Sequence, residues 1–75
     1  MDHLKVFGRA VKLRRQELNL SQEELALISG LHRTYIGGIE QGTRNIGLSN
    51  IIKLSKALRL SPSELLSCFN EKSEI

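Results

Sequence analysis

Apolar residues recur three or four positions apart along this chain, and no segment shows the strict two-residue alternation of a half-buried strand. The spacing predicts five helices, over about residues 2–18, 21–29, 33–41 and 48–59 and from residue 62 onward. Their apolar stripes are formed by Leu4, Phe7, Val11 and Leu18, then Leu25, Ala26 and Ile28, then Ile36 and Ile39, then Leu48, Ile51, Ile52, Leu54 and Leu58, and finally Leu65, Leu66 and Phe69. We therefore expect an all-α fold in which residues 1–75 form one domain.

Capping signals mark the ends of these helices. Residues 21–24 (Ser-Gln-Glu-Glu) and 61–64 (Ser-Pro-Ser-Glu) are capping boxes, in which the serine hydroxyl and the glutamate carboxylate each accept a backbone N–H of the other residue. Gly30 can take the left-handed conformation that ends the second helix, and Asn19 can do the same after the first. The second helix is therefore only about two turns long, and a corner of two or three residues leads into the third.

Two short helices joined by such a corner form a helix-turn-helix, whose second helix enters the major groove of DNA. If the apolar side of the third helix faces inward, its outward positions are Thr34, Gly37, Gly38 and Gln41, with Arg33 and Tyr35 on the flanks. Two adjacent glycines inside a helix cost about 1 kcal/mol each relative to alanine. Close approach of a DNA groove would explain them, and the alternatives are close packing against a neighbouring helix or a tolerated loss of stability.

The charge distribution favours a polyanionic partner. The 75 residues carry 11 Lys and Arg against 8 Asp and Glu, a net charge of +3. Residues 1–59 hold ten of the cations and five of the anions, whereas residues 60–75 hold one cation and three anions. A basic body of this kind suits nucleic acid.

The reactive side chains argue against an enzyme or a metalloprotein. The only Asp is Asp2, and the chain supports no Ser-His-Asp or Cys-His set. His3 and His32 lack a partner at metal-ligand spacing, and the single Cys68 cannot form an internal disulfide or a thiolate cluster. With 40% hydrophobic residues and no long apolar run, we expect a folded cytoplasmic protein with no membrane span, cofactor, metal or small-molecule ligand.

Five segments carry a resemblance to a known family. They are residues 20–26 (Leu-Ser-Gln-Glu-Glu-Leu-Ala), 30–37 (Gly-Leu-His-Arg-Thr-Tyr-Ile-Gly), 39–42 (Ile-Glu-Gln-Gly), 44–46 (Arg-Asn-Ile) and 48–51 (Leu-Ser-Asn-Ile). Together they resemble the lambda-repressor-like, or Xre, helix-turn-helix regulators. The His-Arg-Thr-Tyr-Ile-Gly run and the later Arg-Asn-Ile are most similar to the controller proteins of bacterial restriction-modification systems.

The resemblance implies a role for several individual residues. It implies contacts to DNA bases from Arg33, Thr34 and Tyr35, contacts to DNA phosphates from Gln22, Arg44 and Asn45, and a partly buried structural ion pair between Arg15 and Glu40. Two other positions depart from the family pattern. Gly38 lies where many relatives present a longer base-reading side chain, and His32 replaces the usual Ser, Thr or Asp that caps the recognition helix. Tyr35 could alternatively shield the edge of the core.

The resulting hypothesis is a sequence-specific regulator that binds double-stranded DNA and controls a restriction-modification operon including its own gene. The alternatives are a phage-type repressor or an antitoxin of the same fold, and a protein-interaction module that binds no DNA. The helix-turn-helix would occupy about residues 21–42.

One recognition helix reads too few base pairs to find a single promoter, so we expect a symmetric homodimer on an approximately palindromic operator. We place the dimerisation region at about residues 48–75, with Leu65, Leu66 and Phe69 at the interface. The alternative is that Leu65 and Phe69 complete the core of one protomer.

Overall fold

Five α-helices follow one another in residues 2–70, the part of the chain that the structure, a computed structural model, describes. They are α1 (His3–Glu17), α2 (Gln22–Ser29), α3 (Arg33–Gln41), α4 (Leu48–Ala57) and α5 (Pro62–Leu65), and a 3-10 turn over Leu66–Phe69 follows α5. Residues 2–70 include no strand, which confirms the predicted all-α fold. None of these helices combines the length and the apolar character that crossing a bilayer requires.

The predicted helix ends are largely confirmed. Ser21 and Ser61 both form complete capping boxes. Hydrogen bonding to Ser61, mainly to its backbone N–H, holds the pKa of Glu64 below its ordinary value. Gly30 ends α2 in the left-handed conformation, with φ of 77°, and Asn19 adopts φ of 60° after α1. These signals fix the lengths of α1 and α2, and they leave three residues between α2 and α3.

Two predicted helices are longer than the observed ones. The fourth ends at Ala57 rather than about Arg59, because Arg59 takes a positive φ of 59°. The fifth holds its α-helical hydrogen bonding only from Pro62 to Leu65 and then tightens into the 3-10 turn. This tighter winding carries the chain back along α1, where the Phe69 ring stacks on Phe7 with centroids 6.4 Å apart.

The core is built from one side of every helix. Its fully buried large side chains include Val11, Leu25, Ile36, Ile39, Leu54 and Leu58. The prediction that Ile28 belongs to the buried face of α2 is wrong, since 58% of this residue is exposed. Ser29 takes the inward position because it projects between Leu25 and Ala26 on the helix, and its hydroxyl donates to the Ala26 carbonyl at 3.3 Å.

The apolar stripe of α4 is wider than the core that it covers. Leu54, Ala57 and Leu58 are buried, but Leu48 is 72% exposed and Ile52 is 38% exposed. Leu48 and Ile52 lie four residues apart and therefore share one face of α4. This face leaves apolar surface in water, although the sequence pattern assigned both residues to the helix's buried stripe.

The predicted interface residue Leu65 belongs to the protomer core. Only 2% of Leu65 is exposed, so the prediction that its side chain faces a second copy is wrong. The short α5 packs against α4, and this contact turns Leu65 inward. Leu66 and Phe69 also pack against the core but keep part of their surface.

α1 supports α3 at very close range. A Cβ atom at Gly8 would overlap the backbone carbonyl oxygens of Ile39 and Glu40, so only glycine permits this approach. The contact buries Gly8 together with Phe7 and Val11 on one face of α1. α3 is consequently held along its inner side by a rigid 15-residue helix.

Candidate nucleic-acid interface

α2 and α3 form the predicted helix-turn-helix. The backbone N–H groups of Gly30 and Leu31 both donate to the Ala26 carbonyl, which closes the corner between the two helices. His32 is the N-cap of α3 and makes no side-chain capping bond, unlike Ser21 at the start of α2. The first turn of α3 therefore presents backbone N–H groups without a side-chain acceptor.

A buried ion pair joins α1 to α3. The Arg15 guanidinium donates to Glu40 through Nε at 2.6 Å and through Nη2 at 2.9 Å, and its Nη1 donates to the Leu20 carbonyl at 2.8 Å. The side chains of Arg15 and Glu40 are only 11% and 3% exposed. The hydrogen bonds to Glu40 raise the pKa of Arg15. The pair is thus a bidentate contact whose donors and acceptors are matched inside the fold.

Glu40 also holds Gln22, a link that sequence reasoning missed. The Gln22 side-chain amide donates from Nε2 to Glu40 Oε1 at 3.0 Å. This bond fixes which way the amide of Gln22 points at the start of α2. A polar residue on the inner side of α3 was the available signal, because a buried carboxylate needs several donors. Arg15, Glu40 and Gln22 consequently form one network that ends at the surface.

Tyr35 braces the loop between α3 and α4. Its hydroxyl donates to the Asn45 carbonyl at 3.2 Å and accepts a hydrogen bond from Asn50 Nδ2 at 3.2 Å. The Arg44 guanidinium lies over the Tyr35 ring, 5.2 Å from its centroid. Asn50 was missed at the sequence level, although an amide inside the apolar pattern of α4 was a signal. The Tyr35 hydroxyl is thus already engaged on the protein side.

Gly38 makes room for Arg44. A Cβ atom at Gly38 would overlap the aliphatic stem of the Arg44 side chain, which crosses α3 at that point. Of the interpretations of the paired glycines, close packing inside the protein therefore applies to Gly38, with a loop residue rather than a neighbouring helix as the contact. The position where many relatives present a base-reading side chain is covered here by an arginine from the following loop.

The outward side of α3 forms an open polar cleft of about 350 Å³. Residues that line it include Gln22, Arg33, Thr34, Gly37, Gln41 and Arg44. The lining contains two arginines and no carboxylate, so its charge suits an anion. The structure therefore brings the base-contact candidates Arg33 and Thr34 together with the phosphate-contact candidates Gln22 and Arg44.

Two predicted contact residues, Tyr35 and Asn45, do not line this cleft, and Arg33 within it is only loosely held. Asn45 is exposed, and its side-chain oxygen accepts the backbone N–H of Ile46 at 2.9 Å, which orders the loop locally. Arg33 Nε lies 3.2 Å from Glu23 Oε2, with the two side chains 57% and 69% exposed. A pair this exposed contributes at most about 1 kcal/mol. Arg33 is thus restrained only weakly and can leave Glu23 for another acceptor.

Other chemistry is sparse in the described residues 2–70. They bring together no group of three metal-ligating His, Cys, Asp or Glu side chains. Cys68 is a free thiol, and partial burial raises its pKa. A thiol with a raised pKa is a poor nucleophile at neutral pH.

Comparison with known proteins matches this architecture. A family model described as HTH_3, helix-turn-helix, matches residues 11–65. Control protein C.BamHI of Bacillus amyloliquefaciens is 53% identical over 62 residues, which cover 81% of this chain and 76% of that protein.

Two solved structures extend the match to three dimensions. The restriction-modification controller protein C.AhdI from Aeromonas hydrophila superposes with a TM-score of 0.84 at 48% identity, covering 87% of this chain and 98% of that chain. The controller protein C.Esp1396I, as a tetramer in complex with its natural 35 base-pair operator, superposes with a TM-score of 0.79 at 34% identity, covering 85% and 84%. The chain therefore belongs to the helix-turn-helix family and, within it, to the controller proteins of restriction-modification systems.

Proposed function

We propose that this protein is a sequence-specific regulator that binds double-stranded DNA and controls a restriction-modification operon including its own gene. The observation that carries the proposal is the outward face of α3, where Arg33 and Thr34 share one cleft with Gln22 and Arg44. The relatives support it, because C.BamHI is named a control protein and C.Esp1396I binds an operator. We propose that it acts by binding alone and catalyses no reaction.

In this proposal α3 lies in the major groove and its first turn meets the base edges. Arg33 exchanges Glu23 for a guanine, whose O6 and N7 atoms match the guanidinium fork. Thr34 contacts the adjacent base pair, and Tyr35 offers its ring edge because its hydroxyl already binds Asn45 and Asn50. This arrangement reads sequence from one edge of the cleft.

Phosphate contacts flank the base readers and set the register. The Gln22 amide is held beside the cleft by its Nε2 bond to Glu40, which leaves its second N–H available to a phosphate, while Arg44 extends across α3. Asn45 presents its amide N–H groups beside Arg44, because its oxygen is occupied by Ile46. Contacts to the DNA phosphates on both sides of α3 would hold this helix in the groove.

The test is the salt dependence of binding to an operator selected from randomised duplexes. Each neutralised phosphate contributes about −0.9 to the slope of log K against log salt. One Arg44 on each protomer of a dimer gives a slope of about −2 or steeper. Arg44→Gln should flatten that slope by about 2. Fluorescence anisotropy at 50 to 300 mM salt measures both slopes, and a wild-type slope indistinguishable from zero would contradict the proposal.

We further propose that the working unit is a symmetric homodimer on an approximately palindromic operator. Leu65 is buried, so we centre the interface on the face of α4 that carries Leu48 and Ile52. Exposed apolar side chains that share one helix face are typical of such interfaces. Leu66 and Phe69 stay candidates for its edge, since each keeps part of its surface.

Leu48→Glu should separate the protomers by placing a charge in this interface. We expect the wild type to sediment as a dimer at micromolar concentration and the variant to show at least about a tenfold higher dissociation constant, equivalent to about 1.4 kcal/mol. Leu27→Glu is the matched control, because Leu27 is 84% exposed on α2, outside the proposed interface. Sedimentation equilibrium decides the matter, and a monomeric wild type or a dimeric Leu48→Glu variant would refute the assignment.

A further inference from the structure

Gly37 lies in the middle of α3, yet nothing inside the protein requires a glycine there. Its backbone is helical and does not adopt the positive φ that Gly30 and Gly42 show. A Cβ atom at this position would meet only Gln22 Oε1, at an ordinary contact distance of 3.8 Å. Alanine is a better helix former than glycine, so the fold alone would favour alanine at this position.

The other two glycines within the described helices do have internal reasons. Gly8 lets α1 touch the backbone of α3, and Gly38 leaves room for the stem of Arg44. A methyl group at either position would have to displace protein atoms. At Gly37 the methyl group would instead enter the open cleft. It would displace no protein atom, so it could clash only with a molecule bound in the cleft.

The surroundings of Gly37 indicate which part of a partner comes near. Arg33 precedes it by one helical turn and Gln41 follows it by one, so the three residues lie on one face of α3. The phosphate-contact candidates Gln22 and Arg44 stand at the sides of this face. The centre of the face is therefore aimed between the two backbones of a duplex, at the edges of the base pairs.

We infer that Gly37 is a specificity-determining position, at which the missing side chain lets a base-pair edge rest against the backbone of α3. This inference rests on the proposed function and deepens it. A methyl group at this position would push α3 out of the groove by lifting it off the base pair. Phosphate contacts made by long side chains would tolerate that lift better than short contacts to base edges.

The experiment compares Gly37→Ala with wild type on a selected operator and on a non-operator duplex of equal length. We expect operator affinity to fall at least tenfold, non-operator affinity to change less than threefold, and the midpoint of thermal unfolding to stay the same or rise. Gly38→Ala is the matched control one position further along. Its methyl displaces Arg44, so it should weaken binding to both duplexes alike.

Each other outcome overturns the inference. A loss of operator affinity smaller than tenfold would show that no surface comes close to Gly37. Equal losses on both duplexes would assign the position to a phosphate contact, and a lower unfolding midpoint would show an internal need for glycine. Failure of the wild type itself to bind any duplex would instead remove the proposed function and this inference with it.

Discussion

Replacing Glu40 by alanine is expected to lower the free energy of unfolding by about 3–5 kcal/mol, the cost of leaving one partner of a buried ion pair alone. The stranded group would be Arg15, whose side chain is 11% exposed and whose guanidinium donates twice to Glu40. A core of this size supplies only about 3–5 kcal/mol of net stability, so the variant should be largely unfolded. Urea titration followed by circular dichroism measures the change.

Two controls isolate the effect of the unpaired charge. The double variant Arg15→Met with Glu40→Leu removes both charges and should lose much less stability than Glu40→Ala, because apolar replacements of a buried pair are often nearly neutral. Glu17→Ala breaks the exposed Arg14–Glu17 pair and should change stability by less than about 0.5 kcal/mol. A Glu40→Ala variant as stable as Glu17→Ala would contradict the structural role of the pair.

The second large effect is expected at Arg33. Arg33→Ala should lose about 1–3 kcal/mol of operator affinity and relax the preference at one base pair in each half-site. The physical reason is that a bidentate guanidinium contact distinguishes guanine from the other bases. Binding selections on randomised operators, repeated with wild type and variant, measure both the affinity and the preference.

Gln22→Ala serves as the contrasting variant in the same selections. It removes a phosphate contact, so it should weaken binding to all sequences alike and leave the base preference unchanged. Glu40 would also lose one donor, while the two bonds from Arg15 remain. Equal shifts in preference for both variants, or a shift for neither, would show that the division into base and phosphate contacts is incorrect.

Local signals made the helix boundaries readable from the sequence. The Ser21 capping box, the left-handed Gly30 and the left-handed Asn19 each depend on residues within a few positions, and all three occur as predicted. Which residues of a short helix are buried depends on the helices that pack against it. Ile28 and Leu65 were therefore misplaced, because packing against distant helices sets their exposure.

The candidate site likewise combines features that nearby residues determine with features that depend on distant parts of the chain. The closeness of Arg33 and Thr34 to Gln22 follows from the helix-turn-helix itself, which the sequence indicates. The bonds from Tyr35 to Asn45 and Asn50 depend on the path of the loop between α3 and α4. That path has no short-range signature, so the bracing role of the Tyr35 hydroxyl became visible only in three dimensions.

The crossing of Arg44 over Gly38 sets the size of the segment that would have to be exchanged to redirect this protein to another operator. Transplanting α3 alone from a relative with a larger residue at that position would expel Arg44 and unseat the loop. A graft that runs from Arg33 through Asn50 would transfer this whole cassette at once. It includes α3, Arg44 and the contacts that Tyr35 makes with Arg44 and Asn50. The inner residues Ile36, Ile39 and Glu40 would stay constant in every such chimera, because they dock the cassette onto α1 and α2.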